Sequence, residues 1–329
     1  MPFLYVLSAP DDDLELAQAE LWAMSGCQAE GRIGLSHVAC DVSRSAYTSV
    51  CGQVIARADS FESLRAAAQA QKLQADKFRI DVRKLAPKPG IPSAQVAVGI
   101  ADVLSGYPDL DNPRERYLVL CSEGHWWLSR VLSSYGKGFL AQAQRPWNLS
   151  QALAARHARA FVNLVAAPGD TVLDACCGAG TCVIEALHMG VRARGIDIRP
   201  ANARIAEANL RHFGLPGPIS VQDARHVQGL FDAAIIDFPY GHSTTVSQGL
   251  YEDMLNNLAP KAFRIAVILG GAGEELFCAL GLQVMRCARV RASSFSRHFY
   301  ILRGLRADSG PCGRPARPDG ICPGRERSQ

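Results

Sequence analysis

The chain is predicted to be α/β, with its C-terminal part built on a parallel sheet. Three observations support this. Apolar strands alternate with amphipathic helices from residue 171 to residue 269, the order that wraps a sheet in helices. A glycine turn, Asp174-Ala175-Cys176-Cys177-Gly178-Ala179-Gly180-Thr181, follows the first of these strands. A second turn, Asp237-Phe238-Pro239-Tyr240, closes the apolar run Ala233-Ala234-Ile235-Ile236.

The 329 residues leave room for more than one domain. An apolar fraction of 48% and a charged fraction of 20% are those of an ordinary globular protein. The net charge of +4 permits a nucleic-acid partner without demanding one. The eleven cysteines include no C-x-x-C pair, so reduced core thiols and no metal site are expected. Asp11-Asp12-Asp13 interrupts the first hydrophobic run and no apolar stretch reaches membrane-span length. No signal peptide, no membrane partner and a cytoplasmic location are therefore expected.

In chain order, residues 3–9 read as a strand and 14–24 as an amphipathic helix with acidic residues near its start. A short strand is expected at 38–42, and 46–58 is mixed in character. A helix follows over 61–74, then a half-exposed strand over 78–83, where apolar and charged residues alternate. Residues 93–104 read as a helix, Asn112-Pro113 as a turn, and 117–121 with 126–132 as a strand pair. Residues 1–58 and 59–140 thus read as two small α+β units. The aperiodic stretch 136–148 is linker, with the boundary drawn at 141–150. Ser150 is placed to cap a helix reaching residue 165, with Leu153, His157, Phe161 and Leu164 on one face. The main α/β domain spans 151–306, alternating through 171–174, 181–189, 193–197, 200–213, 219–221, 233–237, 251–258 and 264–269. Residues 296–302 form its last strand. The tail 307–329, rich in Gly, Pro, Arg and Ser, is expected to be disordered.

A glycine turn between strand and helix lets backbone approach a nucleotide, and the helix N-terminus supplies donors. Asp174, Cys176, Gly178, Gly180 and Thr181 are the candidates here. Asp197, 23 residues after Asp174 and ending the next strand, is placed to accept from ribose hydroxyls, with Ile198 beside it. Asp223, followed by Ala224, is placed to accept from an adenine amine. NAD fits the same topology. Two features favour S-adenosylmethionine: Cys176 stands where a dinucleotide motif has its first Gly, and the Asp-x-Pro-Tyr turn follows on the fourth strand.

The lone pair of an aromatic exocyclic amine is delocalised into its ring. Two acceptors in fixed geometry bias the nitrogen towards sp³ character and aim the lone pair. Asp237 offers a carboxylate and Phe238 a carbonyl, Pro239 stiffens the turn, and Tyr240 is suited to stack on the base. Arg79, Arg83, Lys84 and Lys88, with Lys137 and Arg145, are either phosphate contacts or a solvated strand face.

These motifs carry a family resemblance. Asp237-Phe238-Pro239-Tyr240 resembles the Asp-Pro-Pro-Tyr signature of amino-methyltransferases. Asp174 to Thr181 resembles the Asp-Pro-Phe-Cys-Gly-Thr-Gly-Thr turn of the THUMP-domain tRNA guanosine N2-methyltransferases. Leu149-Ser150, Leu153-Ala154 and Ala158-Arg159-Ala160-Phe161-Val162-Asn163-Leu164 are similar to the archaeal-type tRNA (guanine-10-N2) methyltransferase group. Residues 60–140 are diffusely similar to a THUMP RNA-binding domain. The resemblance implies a Rossmann-like S-adenosylmethionine methyltransferase domain behind ferredoxin-like and THUMP regions, acting on the N2 amine of a tRNA guanosine. It implies that Asp174, Gly178, Asp197 and Asp223 hold the cofactor, and that Asp237 and Tyr240 hold the guanine. Arg145 to Asn148 would border the cofactor entrance, and the THUMP region would grip the tRNA acceptor end. The chain departs from the family at Phe238 and Ala175, where Pro is usual. Two further readings use the same residues: an N6-adenine methyltransferase of DNA or rRNA, and a non-enzymatic RNA-binding protein keeping a degenerate fold.

Overall fold

The structure, a computed structural model, describes residues 1–85, 90–149, 152–215, 217–238, 248–291 and 296–306. The strands are β1 (Phe3–Leu7), β2 (Ala29–Glu30), β3 (Ile33–Ser36), β4 (Thr48–Ala58), β5 (Gln74–Lys84), β6 (Ser105–Pro108), β7 (Glu115–Ser122) and β8 (His125–Ser134). They continue as β9 (Thr171–Asp174), β10 (Arg192–Asp197), β11 (Ile219–Val221), β12 (Phe231–Asp237), β13 (Ala262–Leu269), β14 (Val284–Arg291) and β15 (Ser296–Arg303). The helices are α1 (Leu14–Ser25), α2 (Phe61–Ala70), α3 (Ser93–Ala101), α4 (Ala155–Val165), α5 (Thr181–His188), α6 (Pro200–His212), α7 (Gln248–Leu258) and α8 (Glu274–Ala279). Among the described residues no helix is long and apolar enough to cross a membrane.

Met1–Ser8, Cys27–Ser43 and Thr48–Tyr135 form one compact unit. Its strands make a single sheet in the order β2-β3-β1-β4-β8-β7-β5-β6, so the expected boundary at residue 58 falls at the end of a strand inside that sheet. Pairing is antiparallel except where β5 runs parallel to β6 and β7. β7 and β8 are joined by Glu123-Gly124 at φ +50° and +80°, the two positive φ values that a right-twisted two-residue hairpin needs. Tyr117, Val119 and Cys121 of β7 pack with α2 and α3, while Leu118 and Leu120 join Leu4, Val6 and Val50 on the opposite face. Burial on both faces explains why β7 reads as an unbroken apolar run. The strand expected at 38–42 is absent. Val38 is 63% exposed and its carbonyl accepts the Tyr5 hydroxyl (2.7 Å), while β3 takes the place beside β1.

Ala9–Gly26, Arg44–Tyr47 and the chain from Gly136 onward form the second unit. Its sheet has the order β11-β10-β9-β12-β13-β15-β14. The first five strands are parallel, and β15 runs antiparallel between β13 and β14. Strand order reverses between β9 and β12, which places the topological switch point at their C-terminal ends. The expected α/β architecture is therefore present. Among the described α-helices and strands of this unit, α8 and β14 lie outside the expectations; β14 is an edge strand whose Ala288 and Val290 are buried while Arg289 and Arg291 face outward. The helix expected to start at Ser150 starts at Ala155, with Ala154 as its cap and no side-chain cap bond; Ser150 lies outside the described residues. The expected linker folds in part into a 3-10 helix, Gly138–Gln144. The tail 307–329 lies outside the described residues.

α1 belongs to this second unit although it precedes most of the first in sequence. Glu15 accepts the backbone N–H of Arg289 on the β14 edge (2.8 Å), filling a donor that an edge strand leaves open. Glu20, fully buried, accepts from Ser45 Oγ (2.6 Å), the N–H groups of Ala46 (2.7 Å) and Tyr47 (2.9 Å), and Asn163 Nδ2 (2.6 Å). Four donors make burial of that carboxylate tolerable.

Candidate cofactor and acceptor site

A cavity of ≈ 520 Å³ opens at the switch point, within the range of small-molecule sites. It is lined by the β9–α5 turn and by residues at the ends of β10, β11 and β12. In register, Asp174 faces Ile235 on β12 and Gly195 on β10. Asp237 and Asp197 therefore lie two residues further along the strands on either side.

Asp174 is buried, and its carboxyl accepts the Cys176 N–H at 3.4 Å. Burial raises it to about 8; the Cys176 amide opposes the rise, and the charges of Asp237 and Asp197 add to it. A carboxyl in that state gains from a cationic ligand. The thiols of Cys176, Cys177 and Cys182 are also raised, first by burial and then by Asp174. They stay protonated and are poor nucleophiles.

Asp197 holds the glycine turn as well as facing the cavity. Oδ2 accepts the Gly178 N–H (3.0 Å) and Asn202 Nδ2 (3.1 Å), and Oδ1 accepts the Arg199 N–H (2.9 Å). Of about four acceptor positions on a carboxylate, one on Oδ1 is left for a hydroxyl. The two turn glycines serve different ends. Gly178 (φ +51°) has only Leu149 near a would-be Cβ, at 3.7 Å, whereas at Gly180 (φ +80°) a Cβ would press on Ala206 and Leu210 of α6 at 3.1 Å. Ile198, 61% exposed, lines the cavity and offers an apolar face to a flat ring.

Asp223 accepts the backbone N–H of Arg225 (2.9 Å) and pairs with its guanidinium, Nη2 to Oδ2 at 2.6 Å. Hydrogen bonding from Arg225 holds its carboxyl below the usual range. An adenine amine would have to share those lone pairs. Thr181 accepts from Nη1 of Arg145 (2.6 Å), whose Nη2 donates to Asn148 (2.8 Å). Arg145 is thus a latch on the start of α5. At the acceptor end, Asp237 and Phe238 line the cavity, and the Phe238 N–H donates to the Ile268 carbonyl (3.2 Å). Pro239 and Tyr240 lie outside the described residues.

Several site residues were not expected. Asn209 of α6, fully buried, donates to the carbonyls of Ala179 and Trp147 (both 2.9 Å) and accepts the Trp147 N–H (3.1 Å). Gln142 donates to Glu185 (2.6 Å) and to the Thr181 carbonyl (3.2 Å). The available signal was the pair Asn202 and Asn209, seven apart on one face of an alanine-rich helix.

The carboxylates of Asp197, Asp223 and Asp237, the protonated carboxyl of Asp174 and one guanidinium, Arg199, line this cavity among the described residues. Such a field disfavours a pyrophosphate and favours a positively charged ligand. The sulfonium and ammonium groups of S-adenosylmethionine fit it. Residues 142–300 match the family UPF0020, described as an RMKL-like methyltransferase domain. That part of the chain is similar to an RMKL-like methyltransferase domain. The chain is also 32% identical over 209 residues to a tRNA (guanine(10)-N2)-dimethyltransferase of Pyrococcus abyssi, covering 59% of this chain and 63% of that one. It is 29% identical to the Methanothermobacter thermautotrophicus protein of the same name, covering 65% and 68%. The match thus spans slightly less than two thirds of the first relative. A third match, 35% identical to the ribosomal protein L11 methyltransferase of Thermus thermophilus, covers 32% of this chain and 37% of that one.

The candidate RNA contacts are divided between the two units. Arg79, Arg83 and Lys84 lie on β5 in the first unit, whereas Lys137 and Arg145 belong to the second. Arg79 pairs with Asp81 (3.0 Å), half-buried Arg83 donates to Ser49, and Lys84 donates to the Ile91 carbonyl. Lys137 is exposed, and Lys88 lies outside the described residues.

Proposed function

We propose that the chain transfers methyl groups from S-adenosylmethionine to the exocyclic N2 amine of guanosine 10 in tRNA, in the cytoplasm. The observation that carries this reading is the placement of Asp174 and Asp237 at the ends of adjacent strands on one cavity. A cofactor end and an amine-acceptor end therefore meet at the switch point. The activity for which the two tRNA relatives are named supports the choice of substrate. Residues 59–140 are assigned the THUMP-like, RNA-binding role that their resemblance implies.

S-adenosylmethionine supplies a methyl group on a positively charged sulfur. Asp174 stands ready to pair with its cationic part, Asp197 to accept from ribose and Ile198 to cover the adenine. Asp237 and the Phe238 carbonyl accept the two amine hydrogens, which turns the nitrogen lone pair towards the methyl. The Asp237 carboxylate then takes the proton the nitrogen sheds. Because a paired guanine hides its amine, the nucleotide has to leave its stack to reach this cavity.

Incubation with unmodified tRNA transcript and labelled S-adenosylmethionine, followed by nucleoside mass spectrometry, tests the proposal. N2-methylguanosine or N2,N2-dimethylguanosine is expected. N6-methyladenosine, or no methylated nucleoside together with no cofactor binding, would overturn it.

A further inference from the structure

We infer that Tyr251 of α7 is a positioning residue for methyl transfer, acting through Phe238 to hold the acceptor turn in register with the cofactor loop. The inference rests on the methyltransferase function proposed above. Phe238 is pinned twice. Its backbone N–H continues the β12–β13 ladder one residue past β12 by donating to Ile268. Its ring, 1% exposed, lies against the Tyr251 ring with centroids 4.1 Å apart and planes inclined at 35°.

The same helix grips the cofactor side. Asn257 Nδ2 donates to the carbonyls of Ala224 (2.8 Å) and Val227 (3.3 Å), in the loop that begins at Asp223. Asn257 lies six positions after Tyr251 on the helix, a rigid span of about 9 Å. Leu250 and Met254, lying between or beside these contacts, form part of the cavity wall. Leu255 and Leu258 are fully buried and fix the helix against the sheet. α7 is therefore a strut with one end on the cofactor loop and the other on the acceptor turn.

This arrangement accounts for Phe at a position where the resembling family has Pro. A proline ring stiffens a turn from within but cannot donate to Ile268 or reach Tyr251. Here the stiffness comes from a ladder bond and a ring contact. Misplacement of reacting atoms by about 1 Å costs on the order of 100-fold in rate, so the contact is read in turnover.

The test uses the full chain, tRNA transcript and S-adenosylmethionine, with Tyr251→Phe, Tyr251→Leu, Phe238→Leu and Phe238→Pro. The two leucine variants should lose roughly 10- to 100-fold in kcat, with cofactor Kd and KM for tRNA unchanged. Tyr251→Phe keeps the ring and should restore turnover. Phe238→Pro should fall with the leucine variants although it recreates the family signature. Wild-type kcat in Tyr251→Leu, equal losses of kcat and cofactor affinity, or a fully active Phe238→Pro would overturn the inference. Failure of the unaltered chain to methylate guanosine would instead overturn the proposed function, and the wild-type reaction alone reveals it.

Discussion

Nε of Arg159 donates to Oε2 of Glu185 across 2.6 Å, with the two side chains 6% and 0% exposed. Glu185 also accepts from Gln142, which bonds the Thr181 carbonyl at the first residue of α5. A buried polar chain thus runs from α4 to the cofactor turn. Removing one partner of such a pair leaves a lone buried charge, at a cost of about 3–5 kcal/mol. Arg159→Met should show that loss in denaturant unfolding, and Arg159→Met with Glu185→Leu should recover most of it. Equal stability of the single variant and the parent would show that the pair does not hold the turn.

Asp174 makes the stability of the cofactor-free protein depend on pH. Its carboxyl is raised from 3.8 to about 8, so between those values the folded chain keeps a proton that the unfolded chain releases. Stability is then greatest below about 4 and falls as pH rises through about 8. Asp174→Asn removes this dependence, and the variant should be more stable than the parent at pH 8, by on the order of a few kcal/mol. The gap should close towards pH 4, and thermal melts across that range measure it. Cofactor affinity should fall in the same variant, because an amide cannot pair with a cation.

Asp237 is assigned a positioned acceptor and base, worth about 10²–10⁴-fold in rate. Asp237→Ala should lose methyl transfer in that range while calorimetry still detects cofactor binding through Asp174 and Asp197. Unchanged turnover would remove Asp237 from the mechanism.

Glu20 ties α1 and the 44–47 segment to α4. Glu20→Ala strands several buried donors, each costing about 1–3 kcal/mol, so unfolding of the second unit should shift by several kcal/mol. A neutral result would mean that the N-terminal segments are dispensable to that unit.

Much of the second unit is legible in the sequence because its signals are local. Alternation from residue 171 to residue 269 marks the parallel strands, and each candidate carboxylate stands at or just after a strand end where the pattern breaks. β14 escapes because an edge strand needs only one apolar face. The expected strand at 38–42 fails because apolar character alone supplies no neighbour.

Local spacing by itself determined the alternating elements, the glycine turn and the Asp237-Phe238 turn. It could not place β12 beside β9, so nothing in it brought Asp174 and Asp237 to one cavity or raised the Asp174 carboxyl. Nor did it show that Arg145 latches Thr181, or that α1 completes the second unit. Those outcomes depend on which distant segments share burial and hydrogen bonds, and only the packed sheet decides them.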